Sequence, residues 1–349
     1  MAVLEYLAAE KVMVLCQKMF MESLFKDSGD SRADLFDLRV PFMMDLEAEK
    51  VAMAMEGKEV KQKKKRGQER NYPFPRELEY LEKKFNSAAA APLRSKYFSG
   101  QPSAQDFKEN NKPTREAVKD LFSKLNLLEL PRSGSNSKED SVREGMLLLP
   151  PQCSFVTCDV NKLEEQVQGQ MDVILMDPPW VNRHVKRVRQ STGYTMMSNA
   201  NPCLTDLPIS TLLRPGGLVL AWCTNSPKHR ATLHDCFATW DVDVEATCFW
   251  LKLTKHGQLV AEFSSSKQPY EVLMVGRRKG GKDVNGRSKA AEIRIPDGLV
   301  LLSVPSAIHS HKPPLTEVLE RLAETAEDGM DSKAMVNGLN KLELFGRYA

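Results

Sequence analysis

The chain has 349 residues, 42% hydrophobic, 27% charged and 7% aromatic, an ordinary globular composition with material for a sizeable core. No run of about 18 apolar residues occurs, which excludes a membrane-spanning helix, and residues 1–25 carry Glu5, Glu10, Lys11 and Lys18 where a secretory signal needs a basic start and a clean apolar stretch. The net charge of +3 is concentrated: residues 58–70 hold seven Lys/Arg against two Glu, and the remainder has 42 basic against 44 acidic residues.

Residues 1–56 predict a small helical region, because Tyr6, Val12, Leu15, Met19 and Leu24 recur at spacings near three and four. Asp45 is placed to cap a second helix over residues 46–55. Residues 57–72 form a basic linker. As an ordinary feature it is a solvated charge run; as a functional one, Lys63–Arg66 would serve nuclear import or contact phosphates. Residues 73–145 return to a helical pattern, best at 76–85 and 113–128, with Pro113 suited to a first turn. The polar stretch 133–144 (SGSNSKEDSVRE) marks the boundary to the next domain, 146–349.

That last region predicts alternating elements. Strand candidates are 153–158, 173–176, 218–223, 247–253, 271–275, 299–304 and 342–345; helix candidates are 207–213, 228–239 and 315–325. Arg214-Pro-Gly-Gly217 reads as a helix stop followed by a turn. Continuous apolar strands between helices argue an α/β domain with a Rossmann-like, mostly parallel sheet. Such sheets bind ligands at the carboxyl ends of their strands.

One strand ends in unusual chemistry: Asp172-Val-Ile-Leu-Met-Asp-Pro-Pro-Trp180. Prolines stop the strand and remove two backbone donors. The residue before proline is held extended, which fixes the Asp177 carboxylate at the strand tip. What remains is a carboxylate, bare carbonyls of Pro178 and Pro179, and the indole of Trp180. That set suits a flat heterocycle with an exocyclic amine, whose two hydrogens need two acceptors and whose ring needs a stacking surface. The ordinary reading is a tight surface turn, but a chance D-P-P-W in a chain this long is on the order of one in a thousand.

The segment resembles the signature of the S-adenosylmethionine-dependent adenine-N6 methyltransferases, and the resemblance extends over about residues 150–348. It includes F-V-T-C-D-V (155–160), V-K-R (185–187), T-N-S-P-K-H (224–229), W-L-K (250–252), K-Q-P-Y-E (267–271), S-V-P-S-A-I-H-S-H-K-P-P (303–314) and L-E-L-F-G-R (342–347). The H-S-H-K-P-P form and the N-terminal extension look most like an animal branch of that family. The resemblance implies methyl transfer from S-adenosylmethionine to adenine N6, with Asp177 and the Pro178 carbonyl accepting from the amine and Trp180 walling the base. It implies that Asp159 and Val160 hold the cofactor adenine, that Lys312 beside Ser310 pairs with its carboxylate, and that Phe345 and Arg347 border its adenosine half. Tyr194 matches the family's substrate-loop tyrosine.

The same resemblance implies RNA as partner, a small nuclear RNA with an internal 2′-O-methyladenosine for the nearest branch. DNA is the alternative, and so is an inactive RNA-binding scaffold. A monomer is expected, in the nucleus and also in the cytoplasm, with no membrane partner. The family continues past F-x-R into a Q-P-G-W-T-x-x-G-N-E segment that grips the cofactor ribose, so the sequence ending at Ala349 is expected to bind cofactor at least about tenfold more weakly than an extended form.

Other features are weighed against plainer readings. Arg183, Lys186, Arg187 and Arg189 follow the motif without an acidic neighbour; they form a solvated loop or, better, contact phosphates at the mouth of an adenine site. Asp159 taken alone is a turn or cap residue. His309 and His311 lack a third ligand, and the seven cysteines contain no C-x-x-C, so neither a metal site nor a disulfide framework is expected. The sequence G-R-R-K-G-G-K-D (276–283) fails as a phosphate loop because Asp283 stands where Ser or Thr is required. Trp222 and Trp250 read as core or pocket wall rather than as a separate stacking platform.

Overall fold

The computed structural model describes residues 3–24, 33–58, 72–125, 133–138, 142–144, 147–180, 202–263, 268–280, 288–308, 311–324 and 331–345. Among them the strands, in chain order, are β1 (Val3–Leu7), β2 (Val12–Leu15), β3 (Ser133–Asn136), β4 (Val142–Glu144), β5 (Leu147–Leu149), β6 (Cys153–Val156), β7 (Met171–Met176), β8 (Leu213–Cys223), β9 (Val242–Lys252), β10 (Tyr270–Arg278), β11 (Val300–Ser303) and β12 (Lys341–Leu344). The chain divides into two compact units. One comprises Met1–Phe155, Trp250–Tyr270 and Val300–Pro314; the other comprises Val156–Phe249, Glu271–Leu299 and Leu315–Ala349. The division therefore falls after Phe155 rather than at the polar stretch, and two later segments join the first unit.

The first unit corrects the expectation of a purely helical N-terminus. It opens with an antiparallel hairpin of β1 and β2, and β2 pairs in parallel with β11. All four residues of β2, Val12-Met-Val-Leu15, are buried. A short run buried on every side is the pattern of a central strand, and β-branched valines favour that geometry over a helix. The spacing of Tyr6, Val12 and Leu15 fits both periods over so short a span. Helices follow at Gln17–Leu24, Asp45–Met55, Pro75–Phe85, Ala90–Tyr97, Ala104–Glu109 and Lys112–Leu125. Asp45 is the first residue of its helix rather than the cap; Met44 holds the cap position without a side-chain bond. The polar stretch carries the short strands β3 and β4, and β6 pairs with β3 in a separate two-stranded sheet.

Buried side-chain bonds knit this unit. Trp250 Nε1 and Gln17 Nε2 both donate to Ser303 Oγ, at 2.8 and 2.9 Å, so a wholly buried indole has its partner as a core tryptophan requires. His311 Nδ1 lies 3.0 Å from Ser306 Oγ, and burial pushes its pKa down to about 4.

The second unit carries the expected α/β pattern. Its strand order is β9-β10-β8-β7-β12. β7 pairs in parallel with both β8 and β12, and β10 is antiparallel to β8, which makes a mixed, mostly parallel sheet. The helices are Pro202–Thr205, Ile209–Leu212, Pro227–Thr239, Leu315–Ala323 and Ser332–Asn337, with a short turn at Leu163–Gln166. Trp222, Phe237, Trp240, Ile174 and Met176 are fully buried, so Trp222 belongs to the core as read from the sequence.

Arg214-Pro-Gly-Gly217 is a correction: it lies inside β8 rather than in a turn. Between the pairs Met171↔Leu213 and Val173↔Leu218, β8 advances five residues while β7 advances two, a bulge. A Cβ on Gly217 would lie 2.9 Å from the Asp172 carbonyl and 2.8 Å from the Leu213 side chain, so only glycine lets the bulge lie this close to β7. Gly276 on β10 is as constrained: a Cβ there would lie 2.3 Å from Val242 Cγ1. Gly276→Ala should destabilise the protein by about 1–3 kcal/mol through overpacking. A chemical-denaturation midpoint equal to that of the parent would show that Val242 can move aside.

Candidate active site

The tip of β7 is built by pairing on one side and by prolines at its end. β12 runs in parallel beside it, with Leu344 opposite Met176, and the Asp177 amide donates to the Leu344 carbonyl at 3.3 Å. Asp177 is half-buried and Pro178 buried. The Trp180 amide donates to the Pro178 carbonyl at 2.7 Å, closing a three-residue turn over Pro179. A carbonyl oxygen has two lone pairs, so Pro178 retains one for a ligand. The turn thus keeps the Asp177 carboxylate, that carbonyl and the Trp180 ring in one rigid piece.

The indole is fixed separately. Trp180 Nε1 donates to the Trp222 carbonyl near the end of β8 at 2.9 Å. One face of the ring stacks on His229, with centroids 4.9 Å apart and planes 18° apart. His229 in turn meets Thr224 Oγ1 through Nδ1 at 2.7 Å, and its pKa is held down by burial and by neighbouring Lys228. His229 was not singled out by sequence reasoning, although T-N-S-P-K-H contains it.

Glu343 on β12 is a second residue that the sequence left without a role. Burial raises its carboxyl above the usual carboxylate range, and the charge of Asp177 adds to the rise. The side chain nonetheless keeps solvent exposure, so protein flanks it without covering it. Two carboxylates that sense each other disfavour joint ionisation unless a cation or a proton donor comes between them. Its signal in the sequence was present: an acidic residue inside the apolar strand Leu342-Glu-Leu-Phe345. Phe345, immediately after β12, has φ 59°, a left-handed conformation unusual for a bulky residue.

The remaining predicted residues are distributed as follows. Asp159 is exposed and caps the turn Val160–Lys162, accepting from the Asn161 amide at 3.0 Å and from Asn161 Nδ2 at 2.8 Å, which is its plainer reading. Val160 is half-buried in the same turn. Lys312 is half-buried and belongs to the first unit, in Val300–Pro314. Tyr194, Arg183, Lys186, Arg187, Arg189, His309, Ser310 and Arg347 lie outside the described residues, as does Lys63–Arg66. Among the described residues no group of three His, Cys, Asp or Glu gathers to hold a metal, and no described helix is long and apolar enough to cross a membrane.

The MT-A70 family profile matches residues 171–349, a span that starts with β7 and covers the tip just described. The chain belongs to the MT-A70 family. Among individual relatives, the N(6)-adenine-specific methyltransferase METTL4 of Mus musculus is 35% identical over 195 residues, 54% of this chain and 40% of that protein. The DNA N6-methyl methyltransferase of Caenorhabditis elegans is 32% identical over 176 residues, 49% of this chain and 44% of that protein. The N6-methyladenosine RNA methyltransferase MTA1 of Pyricularia oryzae is 28% identical over 210 residues, 57% of this chain and 53% of that protein. The chain thus spans only about half or less of the length of these MT-A70 relatives.

Proposed function

We propose that this protein transfers a methyl group from S-adenosylmethionine to the N6 amine of adenine in a nucleic acid. The observation that carries the reading is the β7 tip: a half-buried carboxylate and a carbonyl with one free lone pair, locked to an indole by a three-residue turn. Two acceptors hold both amine hydrogens and leave the nitrogen lone pair facing the methyl group to be transferred, so catalysis is positioning and electrostatics. Membership of the MT-A70 family supports it, and so do the names of the relatives, two of which state DNA and RNA substrates respectively.

The cofactor's fit is supported by charge. S-adenosylmethionine carries a sulfonium and an ammonium, and Asp177 with Glu343 gives the β7–β12 edge the acidic character that such a ligand needs. When bound, it supplies the electrophilic methyl group. Glu343 and Phe345 would border it. The polymer is proposed to be RNA, with 2′-O-methyladenosine of a small nuclear RNA as the specific target. The basic run at Lys63–Arg66 would supply phosphate contact or nuclear entry.

Methylation with labelled cofactor, on matched RNA and DNA oligonucleotides with and without 2′-O-methyladenosine, tests the assignment. Label at N6 in RNA confirms it; preference for DNA corrects the polymer; no transfer to either overturns it. Trp180→Ala should raise the nucleic-acid KM or lower kcat by the equivalent of roughly 1–3 kcal/mol of lost stacking. Cofactor affinity should stay unchanged, and its loss alone would place the indole in the wrong half of the site.

A further inference from the structure

A tryptophan that follows a strand end on a proline turn would ordinarily be free to rotate about both side-chain bonds. Trp180 is not free. Its edge is tied to the Trp222 carbonyl and its face lies on His229. The two constraints are complementary, because an in-plane hydrogen bond sets the direction of the ring and a stacked partner sets its plane. His229 is itself fixed. It is the third residue of the helix Pro227–Thr239, and its Nδ1 meets Thr224 Oγ1 at 2.7 Å. Thr224 Oγ1 also accepts from the Ser226 amide at 3.2 Å, and with one proton and two lone pairs it holds the imidazole whichever of the two atoms donates. Burial first, then neighbouring Lys228, favours the neutral imidazole, as does the adjacent helix N-terminus.

We propose that His229 is a positioning residue: held by Thr224, it clamps one face of Trp180 so that only the opposite face of the indole can receive the substrate base. The proposal rests on the assignment of Trp180 to the adenine. Its consequence is geometric. A base stacked on that remaining face is presented in one plane to Asp177 and to the Pro178 carbonyl, both in the turn that the Trp180 amide closes. Without the imidazole the indole can tilt about its Nε1 bond, and the base loses its register with the two acceptors.

The test pairs His229→Ala, which removes ring and hydrogen bond, with His229→Phe, which keeps a stacking surface. In His229→Ala the nucleic-acid KM should rise roughly tenfold, the scale of one aromatic pair, with S-adenosylmethionine affinity by calorimetry unchanged; His229→Phe should restore most of the loss. A second readout is independent of turnover. In spectra of protein labelled with nitrogen-15, the Trp180 indole N–H signal, assigned by its absence from Trp180→Phe, should shift and exchange faster in His229→Ala and stay near its parental position in His229→Phe. An unmoved indole signal in His229→Ala, or a KM equal to the parent's, overturns the clamp. A parent that methylates no nucleic acid counts against the proposed function instead, and the indole signal still decides the clamp.

Discussion

Asp177→Ala should reduce methyl transfer on the order of a hundredfold or more while the melting temperature hardly moves. The carboxylate is half-buried at a strand end, and the backbone geometry there is set by Pro178, Pro179 and the Asp177 amide bond to Leu344, none of which the substitution alters. Removing one positioned electrostatic contact in an active site typically costs a hundredfold to a thousandfold in turnover. Asp177→Asn should be nearly as inactive, because its amide offers one acceptor oxygen and places a donor where the substrate amine also donates. Turnover above a tenth of the parent's would remove Asp177 from the catalytic role.

How much of this was legible in the sequence differs by element. β7 and its tip were legible because an apolar run followed by Asp-Pro-Pro-Trp combines a burial signal with a covalent one: prolines stop a strand wherever they fall. β12 was legible as an apolar strand, 342–345 against the observed Lys341–Leu344. The hairpin of β1 and β2 was not, because over a dozen residues the helical and strand periods select many of the same apolar positions, and β2 gains its identity from its distant partner β11. Arg214–Gly217 misled because Pro-Gly-Gly is turn chemistry; the bulge over Asp172 uses the same absence of side chains for close approach. The stack of His229 on Trp180 joins residues 49 apart in sequence, and no spacing rule reports that. Asp159 carries its plainer reading in the structure, since Oδ1 accepts from Asn161 as a cap does.

Asp172, on β7 and five residues before Asp177, should behave in the opposite way. The residue is 4% exposed, which for a carboxylate demands partners. It accepts from Ser288 Oγ at 2.7 Å and from the Asn340 amide at 2.9 Å, and Arg214 Nε lies 3.9 Å away. The Asp172 and Val173 amides return the contact to the Asn340 carbonyl at 2.8 and 3.2 Å. Asn340 immediately precedes β12, so this node sets the register that brings Leu344 to the Asp177 amide at the far end of the pair. Asp172→Ala strands two donors, one of them backbone, each at a cost of about 1–3 kcal/mol, for a loss of about 2–6 kcal/mol. Asp172→Asn keeps one acceptor and should lose less. The expected result is a marked fall in denaturation midpoint for Asp172→Ala, with turnover of the remaining folded protein reduced only as far as β12 shifts. If Asp172→Ala melted like the parent and were as inactive as Asp177→Ala, the roles of the two carboxylates would have to be exchanged, because burial and satisfied hydrogen bonds would then have failed to distinguish a structural acid from a catalytic one.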